Sequence, residues 1–475
     1  MDTSASRSLS GSLGVGSIVF MVVAAAAPLT VVAGAVPLGI ALGNGAGFPA
    51  TFVLCCAVLL LFAVGFCAMS RHLPASGAFY SYVWRGLGRA PGLGTAFLAL
   101  VTYTAVQVAV YAYLGVALGG LVEHYGGPSL PWWSWTIVAL VVVAVLGYRH
   151  IELSSRVLGV LLLCEVGIVL VFDAVVVARG GGETGLSTAF LLPNEVGSGA
   201  LGIAIMFAIA SFIGFEATAI FRDEARDPAR TIPRATYAAL LLIAVFYALS
   251  SWAVISAWGD TAAVRQAGAD PGGLLLNSIG GYLGTAGADV AEVLLVTSLF
   301  AAVLAFHNVI ARYVFSLGNA GALPSFCGRS HPRHGSPHLA SLAQTTSALA
   351  LVVLFAATGL DPVAQVFAWM SGTATLGVLA LMTLTCLAVV AFFRKSDVDR
   401  RVWHTLVAPL LGLAGLLTCL ALTVANFSTL IGGSPGLAAV IGAILAGSFV
   451  LGIALSTVLR PSAAAAPGPA VTEAA

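Results

Sequence analysis

The sequence predicts an all-α integral membrane protein with twelve transmembrane helices. Of its 475 residues, 59% are hydrophobic and only 8% are charged, whereas a soluble domain carries about a quarter charged residues. The mean hydropathy is +1.02, and a chain this apolar is shielded from water only inside a bilayer. The net charge of +1 gives no indication of nucleic-acid binding, so the lipid bilayer is the partner that the composition indicates.

Twelve apolar stretches have the length of about 20 residues that crosses a bilayer as an α-helix. The first runs from near Gly11 to Ala41. It is longer than the roughly 7–15 apolar residues of a signal peptide, so it is predicted to remain in the protein. The predicted spans are centred near Ala26, Leu59, Gln107, Val141, Glu165, Ala210, Ala244, Ala302, Leu349, Thr375, Leu416 and Ala446.

The basic residues predict the orientation of these spans, because cytoplasmic loops are enriched in Arg and Lys. With the N-terminus in the cytoplasm, 18 of the 20 basic residues fall on the cytoplasmic side, and only Arg179 and Arg265 lie outside. The sequence therefore predicts a multi-pass protein of the cell (cytoplasmic) membrane with both termini cytoplasmic. Residues 1–10 would form an N-terminal tail, 11–460 the membrane domain and 461–475 a disordered tail.

The cysteines and histidines indicate no metal centre. None of the seven cysteines forms a CxxC pair, so we expect neither a zinc site nor a disulfide framework and interpret them as buried small apolar residues. His331, His334 and His338 share a predicted cytoplasmic loop, where a solvated turn is favoured over a metal site. The sequence predicts no metal and no cofactor.

Two of the predicted spans are interrupted. The first contains AAAAPLTVVAGAVP (Ala24–Pro37), in which Pro28 removes a backbone donor near mid-membrane. The sixth contains ASFIGFEATAIF (Ala210–Phe221), with Gly214 deep inside it. Matching breaks in the opening helices of two oppositely oriented halves indicate a transporter binding site, where freed N–H and C=O groups hold a carboxylate and an ammonium. The alternative is an ordinary proline kink and a packing glycine.

Few ionisable side chains lie within the predicted spans, where each is costly unless paired or hydrated. Glu165, Glu216 and His307 are the candidates for proton coupling, since burial favours the neutral form of a carboxyl group. The alternatives are a packing or hydration role for Glu165, a hydrogen bond from loop backbone to Glu216, and a satisfied core position for His307. Asp173 and Glu292 are expected to be exposed at the external vestibule.

The third predicted span carries polar side chains on one face. Tyr103, Gln107 and Tyr111 recur at four-residue spacing and therefore share a helix face that could line the pathway. For Tyr113, and less strongly for Tyr111, anchoring at the membrane interface is the alternative. No lysine or arginine is predicted at mid-membrane depth, which disfavours an acidic substrate.

Three segments resemble the amino acid–polyamine–organocation permeases. FIGFEATAIFRDEARDPARTIPRA (Phe212–Ala235) resembles the family's sixth-helix signature, CAMSRHLPASGAFYSYV (Cys67–Val83) the junction of its second and third helices, and FHNVIARYVFSLGNAGALP (Phe306–Pro324) the end of its eighth. One departure is that residues 319–321 read Asn-Ala-Gly where the family usually has Arg-Asp-Gly, so that loop's charge pair is absent.

The resemblance implies the leucine-transporter-like fold, a five-plus-five inverted repeat, followed by two further helices. Repeat one would cover about 11–180, repeat two about 197–395, and helices eleven and twelve about 404–459. It further implies secondary active transport of amino acids by alternating access, with the bundle of helices 1, 2, 6 and 7 rocking against the rest.

The resemblance also implies a substrate site between the broken helices. With Tyr103 and Gln107, the predicted substrate-binding residues are Ala25, Ala26, Ala27, Pro28, Leu29, Thr30, Phe212, Ile213, Gly214, Phe215 and Glu216. Phe215 or Phe212 would be an aromatic lid. Glu165 occupies the place of a fifth-helix lysine that is thought to carry the proton in some members. A carboxyl group there would carry a proton or help to bind a cation such as sodium.

The sequence is compatible with three functions. A proton-coupled amino acid symporter is the first, and a polyamine or cationic amine carrier or exchanger, assisted by Glu216, is the second. A membrane sensor or channel is the third, although a sensor would normally carry a soluble signalling domain and none is predicted. An enzyme is disfavoured because the sequence has no HExxH, no GxSxG and no aspartate pair at mid-depth.

Overall fold

The computed structural model describes residues 13–73, 79–149, 155–319, 321–331, 336–396 and 398–458. Within these ranges the regular structure is helical, and β-pairing is limited to isolated bridges between Leu13 and Ala225 and between Gly182 and Gly185. The predicted tails 1–10 and 461–475, together with His334 of the histidine loop, lie outside the described residues.

The α-helices follow one another along the whole described chain. In chain order they are α1 Val15–Ala25, α2 Pro28–Thr30, α3 Val36–Leu38, α4 Phe48–Ser70, α5 Phe79–Leu87, α6 Arg89–His124, α7 Trp132–Arg149, α8 Ser155–Ala178, α9 Pro193–Val196, α10 Leu201–Ala210, α11 Pro228–Trp258, α12 Asp260–Ala269, α13 Leu274–Leu283, α14 Thr285–Asn319, α15 His338–Thr358, α16 Ala368–Lys395, α17 Ala408–Leu430 and α18 Pro435–Val458. Segments of π-helix lie at Val31–Ala35, Gly39–Asn44, Pro362–Phe367 and Trp403–Val407. Short 3-10 helices lie at Gly45–Gly47, Ala189–Leu191, Phe215–Glu224 and Ser325–Gly328.

Eleven helical stretches among the described residues are long and apolar enough to cross a membrane. The first, Val15–Ser70, has 56 residues and would measure about 84 Å as one α-helix, well beyond a single hydrocarbon core of about 30 Å. It bends at Gly43, where the backbone leaves helical geometry (φ −96°, ψ −119°). Apart from Ala26, which lies at a break, every predicted span centre falls inside an α-helix.

Long helices surround the two interrupted segments. α6 packs against α14, α16 and α18, while α4 packs against α11 and α17. α1 and α2 contact α8, α11 and α14. Small residues allow the closest approaches, as is usual between membrane helices: at Gly377 an added Cβ would lie 2.0 Å from Oγ1 of Thr102. The outer helices, such as α7 and α15, present exposed valine and leucine side chains, as lipid-facing surfaces do.

Candidate substrate and coupling site

The first predicted interruption is present. α1 ends at Ala25, and Ala27 adopts a left-handed conformation (φ 46°, ψ 69°). It is the one non-glycine residue with positive φ in the described part of the chain. Pro28 then begins α2 at a first-turn position, where its missing N–H would have no helical partner. The break therefore lies at Ala26–Ala27, immediately before the proline that signalled it.

The second predicted interruption is also present, and it lies against the first. α10 ends at Ala210, Gly214 has φ 112°, and a 3-10 helix follows from Phe215. A Cβ placed on Gly214 would lie 3.6 Å from the backbone of Ala25. The ends of four half-helices therefore meet in one place. Their terminal N–H and C=O groups lack the intrahelical hydrogen bonds that they would make in continuous helices.

A cavity of about 70 Å³ lies at this meeting point. Five predicted substrate-binding residues line it: Ala25, Ala26, Ala27, Thr30 and Ile213. The other residues of the wall were not predicted from the sequence: Val31, Ala35, Val106, Ala109, Val110, Ala210, Ser211, Ala302, Phe306, Phe367, Ser371 and Ala374. No lining residue is ionisable, and the side-chain polar groups are three hydroxyls. The wall suits an uncharged, compact side chain.

The aromatic side chains in the wall differ from those predicted. Phe306 from α14 and Phe367 from the π-helix before α16 line the cavity. Phe212 and Phe215 instead turn toward α4, where their ring centroids lie 6.4 Å from Phe52 and 6.0 Å from Phe62, respectively. Neither ring is among the lining groups. Because Gly214 takes the backbone out of helical geometry between them (φ 112°), helical spacing in the sequence does not give their direction.

The polar face predicted on α6 is turned away from the cavity. Val106 and Val110 line it, whereas the amide of Gln107 donates to Val303 O at 3.3 Å and its Oε1 accepts from Gln344. Successive residues are about 100° apart around an α-helix, so Gln107 faces α14 and α15. Tyr111 is 1% exposed, which places it in the protein interior.

Glu216 forms hydrogen bonds on both sides of its carboxylate at the second break. Its Oε1 accepts a 2.9 Å hydrogen bond from the hydroxyl of Tyr103, and its Oε2 accepts one of 2.8 Å from the N–H of Gly214. The side chain is 7% exposed and is not in the cavity wall. This geometry corresponds to the alternative in which Glu216 accepts hydrogen bonds from nearby backbone.

Glu165 lies in a smaller cavity beside the first break. It is 5% exposed on α8 and lines this space with Ala24 and Ser298. The N–H of Leu29 and the hydroxyl of Ser298 face its carboxyl group. Thr30, in the wall of the main cavity, donates a 3.2 Å hydrogen bond to the same Ser298 hydroxyl. The hydroxyls of Ser298 and Thr30 therefore lie in sequence between Glu165 and the main cavity.

The comparisons with known proteins agree with this arrangement. The model of the amino acid permease family matches residues 13–456, almost the whole chain. The chain belongs to the amino acid permease family. The predicted membership of the amino acid–polyamine–organocation superfamily is thereby confirmed, and the permease is a multi-pass membrane protein.

Similar proteins are permeases for several substrates. The permease is 24% identical over 401 residues to the branched-chain amino acid permease BcaP of Bacillus subtilis (strain 168), covering 80% of each chain. It is 26% identical to the histidine permease HisP of Lactococcus lactis subsp. cremoris (strain MG1363), over 58% of this chain and 59% of that one. It is 21% identical to the low-affinity putrescine importer PlaP of Escherichia coli (strain K12), over 61% and 63%.

Tyr113 lies beside the cavity of the permease, against the wall residue Phe367. Its hydroxyl, which has one proton to donate, lies within hydrogen-bonding distance of two carbonyl oxygens, Ala33 O at 3.0 Å and Gly272 O at 3.2 Å. Its ring centroid lies 5.5 Å from that of Phe367. At 1% exposure it does not fit the interfacial anchor considered from sequence. Beyond it lies a vestibule of about 400 Å³ whose lining includes Asp270, Glu292 and Asp361.

Hydrogen bonds to backbone oxygens connect the segment after the second break to its neighbours. The guanidinium of Arg222 donates to Ser70 O at 2.6 Å and also to Leu73 O. Leu13, two residues before α1, is hydrogen-bonded as well: its N–H donates to Glu224 O, and Arg226 N–H donates to Leu13 O, each at 3.0 Å. These contacts join the 3-10 helix after the second break to the end of α4 and to the segment before α1.

The remaining ionisable groups of the spans lie away from this cavity. Nε2 of His307 lies 2.7 Å from the hydroxyl of Ser341, which corresponds to the core histidine alternative. Asp173 is 3% exposed, so the expectation that it is exposed was wrong. α11 covers it, and sequence depth alone does not reveal which helix face is covered. Across the described ranges, His, Cys, Asp and Glu side chains form no cluster of three suited to a metal ion.

Proposed function

We propose that the permease is a secondary active transporter of neutral amino acids, which moves its substrate by alternating access in symport with a proton. The observation that carries this proposal is the uncharged cavity at the junction of the two breaks. A zwitterion bound there would place its carboxylate at the N-terminal end of one half-helix and its ammonium at the C-terminal end of another, where the helix dipoles favour them.

The cavity wall favours neutral substrates over cationic amines. A diamine or a basic side chain would bring a charge that no lining carboxylate compensates, and burying an unpaired charge costs several kcal/mol. Glu216, the carboxylate invoked for that alternative, is already bound to Tyr103 and Gly214. The similarity to PlaP keeps the amine carrier as the second candidate, and the similarity to BcaP supports an aliphatic amino acid.

Glu165 is the proposed proton carrier. The groups that face it, the N–H of Leu29 and the hydroxyl of Ser298, are hydrogen-bond donors to a carboxylate, whereas a hard cation requires several oxygen ligands. Protonation would weaken the acceptor that Leu29 faces and so change the free energy of the first break. A coupling ion shifts a conformational equilibrium only if its binding free energy differs between the two conformations, and protonation of Glu165 would supply such a difference.

The topology proposed for this function has twelve crossings and an inverted five-plus-five repeat. The length of Val15–Ser70 and its bend at Gly43 support two crossings there, and the matched breaks support the repeat. Aromatic contacts of Tyr247 in α11 and Phe212 with Phe52 in α4 support a moving bundle of spans 1, 2, 6 and 7. We place the permease in the cytoplasmic membrane with both termini inside.

Uptake into proteoliposomes tests the proposal. Labelled alanine, leucine, arginine and putrescine would be offered with an inward pH gradient, an inward sodium gradient or neither. We expect saturable accumulation of alanine or leucine with the pH gradient alone. Accumulation driven only by sodium would overturn proton coupling, preferential uptake of putrescine would favour the amine carrier, and absence of saturable uptake would contradict amino acid transport.

A further inference from the structure

Asp173 is a second buried carboxyl group on α8. It lies eight residues beyond Glu165, about 12 Å along the helix, toward the predicted outer face. Oδ2 accepts a 2.9 Å hydrogen bond from the hydroxyl of Ser250 on α11. Oδ1 is buried and has no hydrogen-bond partner among the described residues. The side chain is 3% exposed and takes no part in the site described above.

Among the side chains that the structure describes, no cation faces this carboxyl group from the helices packed around it. α1 and α2 contain no ionisable residue, and α13 contributes only Tyr282, whose ring lies 5.2 Å from the guanidinium carbon of Arg179. On α14, Asp289 lies 3.3 Å from His124 of α6, and Glu292 also faces His124. On α11, the ionisable group on the same side as Ser250 is Tyr247.

An ionised carboxylate would be poorly satisfied in this position. It has acceptor capacity for about four hydrogen bonds, yet Ser250 alone supplies one. Burying a charge without a partner is far more costly than burying a neutral polar group. The geometry around Asp173 therefore fits the neutral acid in this conformation, with ionisation when the helices separate and water enters.

Hydroxyl groups lead from Asp173 toward Glu165. Ser250 and Tyr247 are three residues apart on α11, so their side chains lie on the same face. The hydroxyl of Tyr247 donates a 3.2 Å hydrogen bond to Ala26 O at the first break, two residues from Ala24, which lines the same small cavity as Glu165. Asp173, Ser250, Tyr247 and Glu165 thus follow one another from the predicted outer side to the middle of the membrane.

We propose that Asp173 is a second proton-binding group of the permease, through which the coupling proton passes from the outer side to Glu165. The carboxylate of Asp173 takes a proton from external water and becomes a neutral acid. When that proton moves on, Asp173 is again a carboxylate and Glu165 is the neutral acid. The transport role of Asp173 rests on the proposed proton symport, whereas its protonation does not.

Infrared spectroscopy of the full chain in lipid tests the protonation directly. The carbonyl band of a neutral carboxylic acid would be recorded near neutral pH for wild-type, D173N and the control E183Q, which removes an exposed carboxyl group of an external loop. We expect D173N to lose part of this band and E183Q to retain all of it. A D173N spectrum with an undiminished band would overturn the proposal.

Uptake measurements then test the transport role. D173N should lower the initial rate of pH-driven uptake roughly tenfold or more, as expected for a lost proton-transfer group, and flatten its dependence on external pH. Counterflow at equal pH on both sides should stay within about twofold, a change of about 0.4 kcal/mol. Wild-type dependence on external pH in D173N would contradict the transport role.

A second variant and the wild type complete the test. If D173N does not fold, S250A retains the carboxyl group and removes its one hydrogen-bond donor, so the external-pH midpoint of uptake should shift. An unchanged midpoint would contradict the proposal. Failure of the underlying proton symport would be recognised separately, because uptake by the wild-type protein would then not depend on the pH gradient.

Discussion

The hydroxyl of Tyr103 donates a 2.9 Å hydrogen bond to Oε1 of Glu216, so α6 is bound to the second break through a buried side-chain contact. The other carboxylate oxygen, Oε2, accepts a hydrogen bond from the N–H of Gly214. This pairing determines what a substitution of Glu216 should do, because the same carboxylate was a candidate for both cation binding and proton coupling.

Replacing Glu216 with glutamine should destabilise the permease without uncoupling it. Glutamine retains one acceptor oxygen, so either Tyr103 or Gly214 loses its partner, at a cost of about 1–3 kcal/mol. Thermal unfolding in detergent should show the loss, while residual uptake keeps its dependence on the pH gradient. Y103F is the matched variant and should show a similar loss of stability. Uptake by E216Q that no longer responded to pH would assign the coupling role to Glu216.

Replacing Glu165 with glutamine should abolish pH-driven accumulation and leave counterflow. Glutamine preserves the size of the side chain and one acceptor for Leu29 and Ser298 but cannot take up and release a proton. Uptake with and without an inward pH gradient, together with counterflow at equal pH, measures both properties. E183Q serves as the carboxyl control. Gradient-driven accumulation by E165Q would exclude the proposed role of Glu165.

Replacing Gly214 with alanine and replacing Ala27 with glycine should have opposite effects on the stability of the permease. Gly214 has φ 112° and Ala27 has φ 46°. L-residues other than glycine carry a penalty of roughly 1–2 kcal/mol in left-handed backbone, so G214A should lower stability and uptake. A27G should be neutral or stabilising because glycine adopts this conformation readily. Melting temperatures and initial uptake rates would decide, and a G214A protein as stable as wild-type would contradict the interpretation of the second break.

The loop before α17 should not contribute to the pH dependence of transport. Hydrogen bonds from Arg401 lower the pKa of Asp399 to about 2. Since the folded pKa is depressed, the stabilisation from this pair is complete above the unfolded value and is lost only as the pH falls toward 2. D399N should therefore keep the wild-type pH profile of uptake between about pH 5 and 8, and a shifted midpoint would refute this expectation.

The sequence predicted the breaks but much less of the cavity wall. Pro28 and Gly214 interrupt a helix through the conformation and hydrogen bonding of their own backbone, so the breaks can be predicted without knowing the neighbouring helices. Val106, Ala302 and Phe367 are ordinary residues of apolar spans, and lipid-facing surfaces use the same types, so nothing in the sequence distinguishes a wall from a lipid contact. Small hydroxyl residues such as Ser371 were a weak signal, because helix interfaces are enriched in them as well.

Side-chain direction was the other source of error. Distance along a span gives depth in the membrane, and by that measure Asp173 was expected at an exposed outer position. Its burial depends on α11, whose Ser250 approaches within hydrogen-bonding distance. The directions of Phe212 and Phe215 likewise depend on the turn at Gly214, which a helical projection of the sequence does not contain.

The size of the cavity leads to a prediction about substrate binding. About 70 Å³ corresponds to roughly five to seven water-sized spheres, so a larger side chain in the wall should exclude substrate. Ala302 lies in the wall, and Ala305 lies on the exposed face of the same helix. A302L should therefore abolish saturable uptake and counterflow alike, because the added carbon atoms occupy the substrate volume, while A305L should transport normally.

Binding and folding can be separated in this pair of variants. Both leucines are good helix formers, so melting temperatures near that of wild-type protein would show that A302L is folded. Protection from thermal unfolding by alanine or leucine should then be present in A305L and absent in A302L, since a ligand stabilises only a protein that binds it. Equal protection of the two variants would mean that the substrate binds elsewhere in the permease.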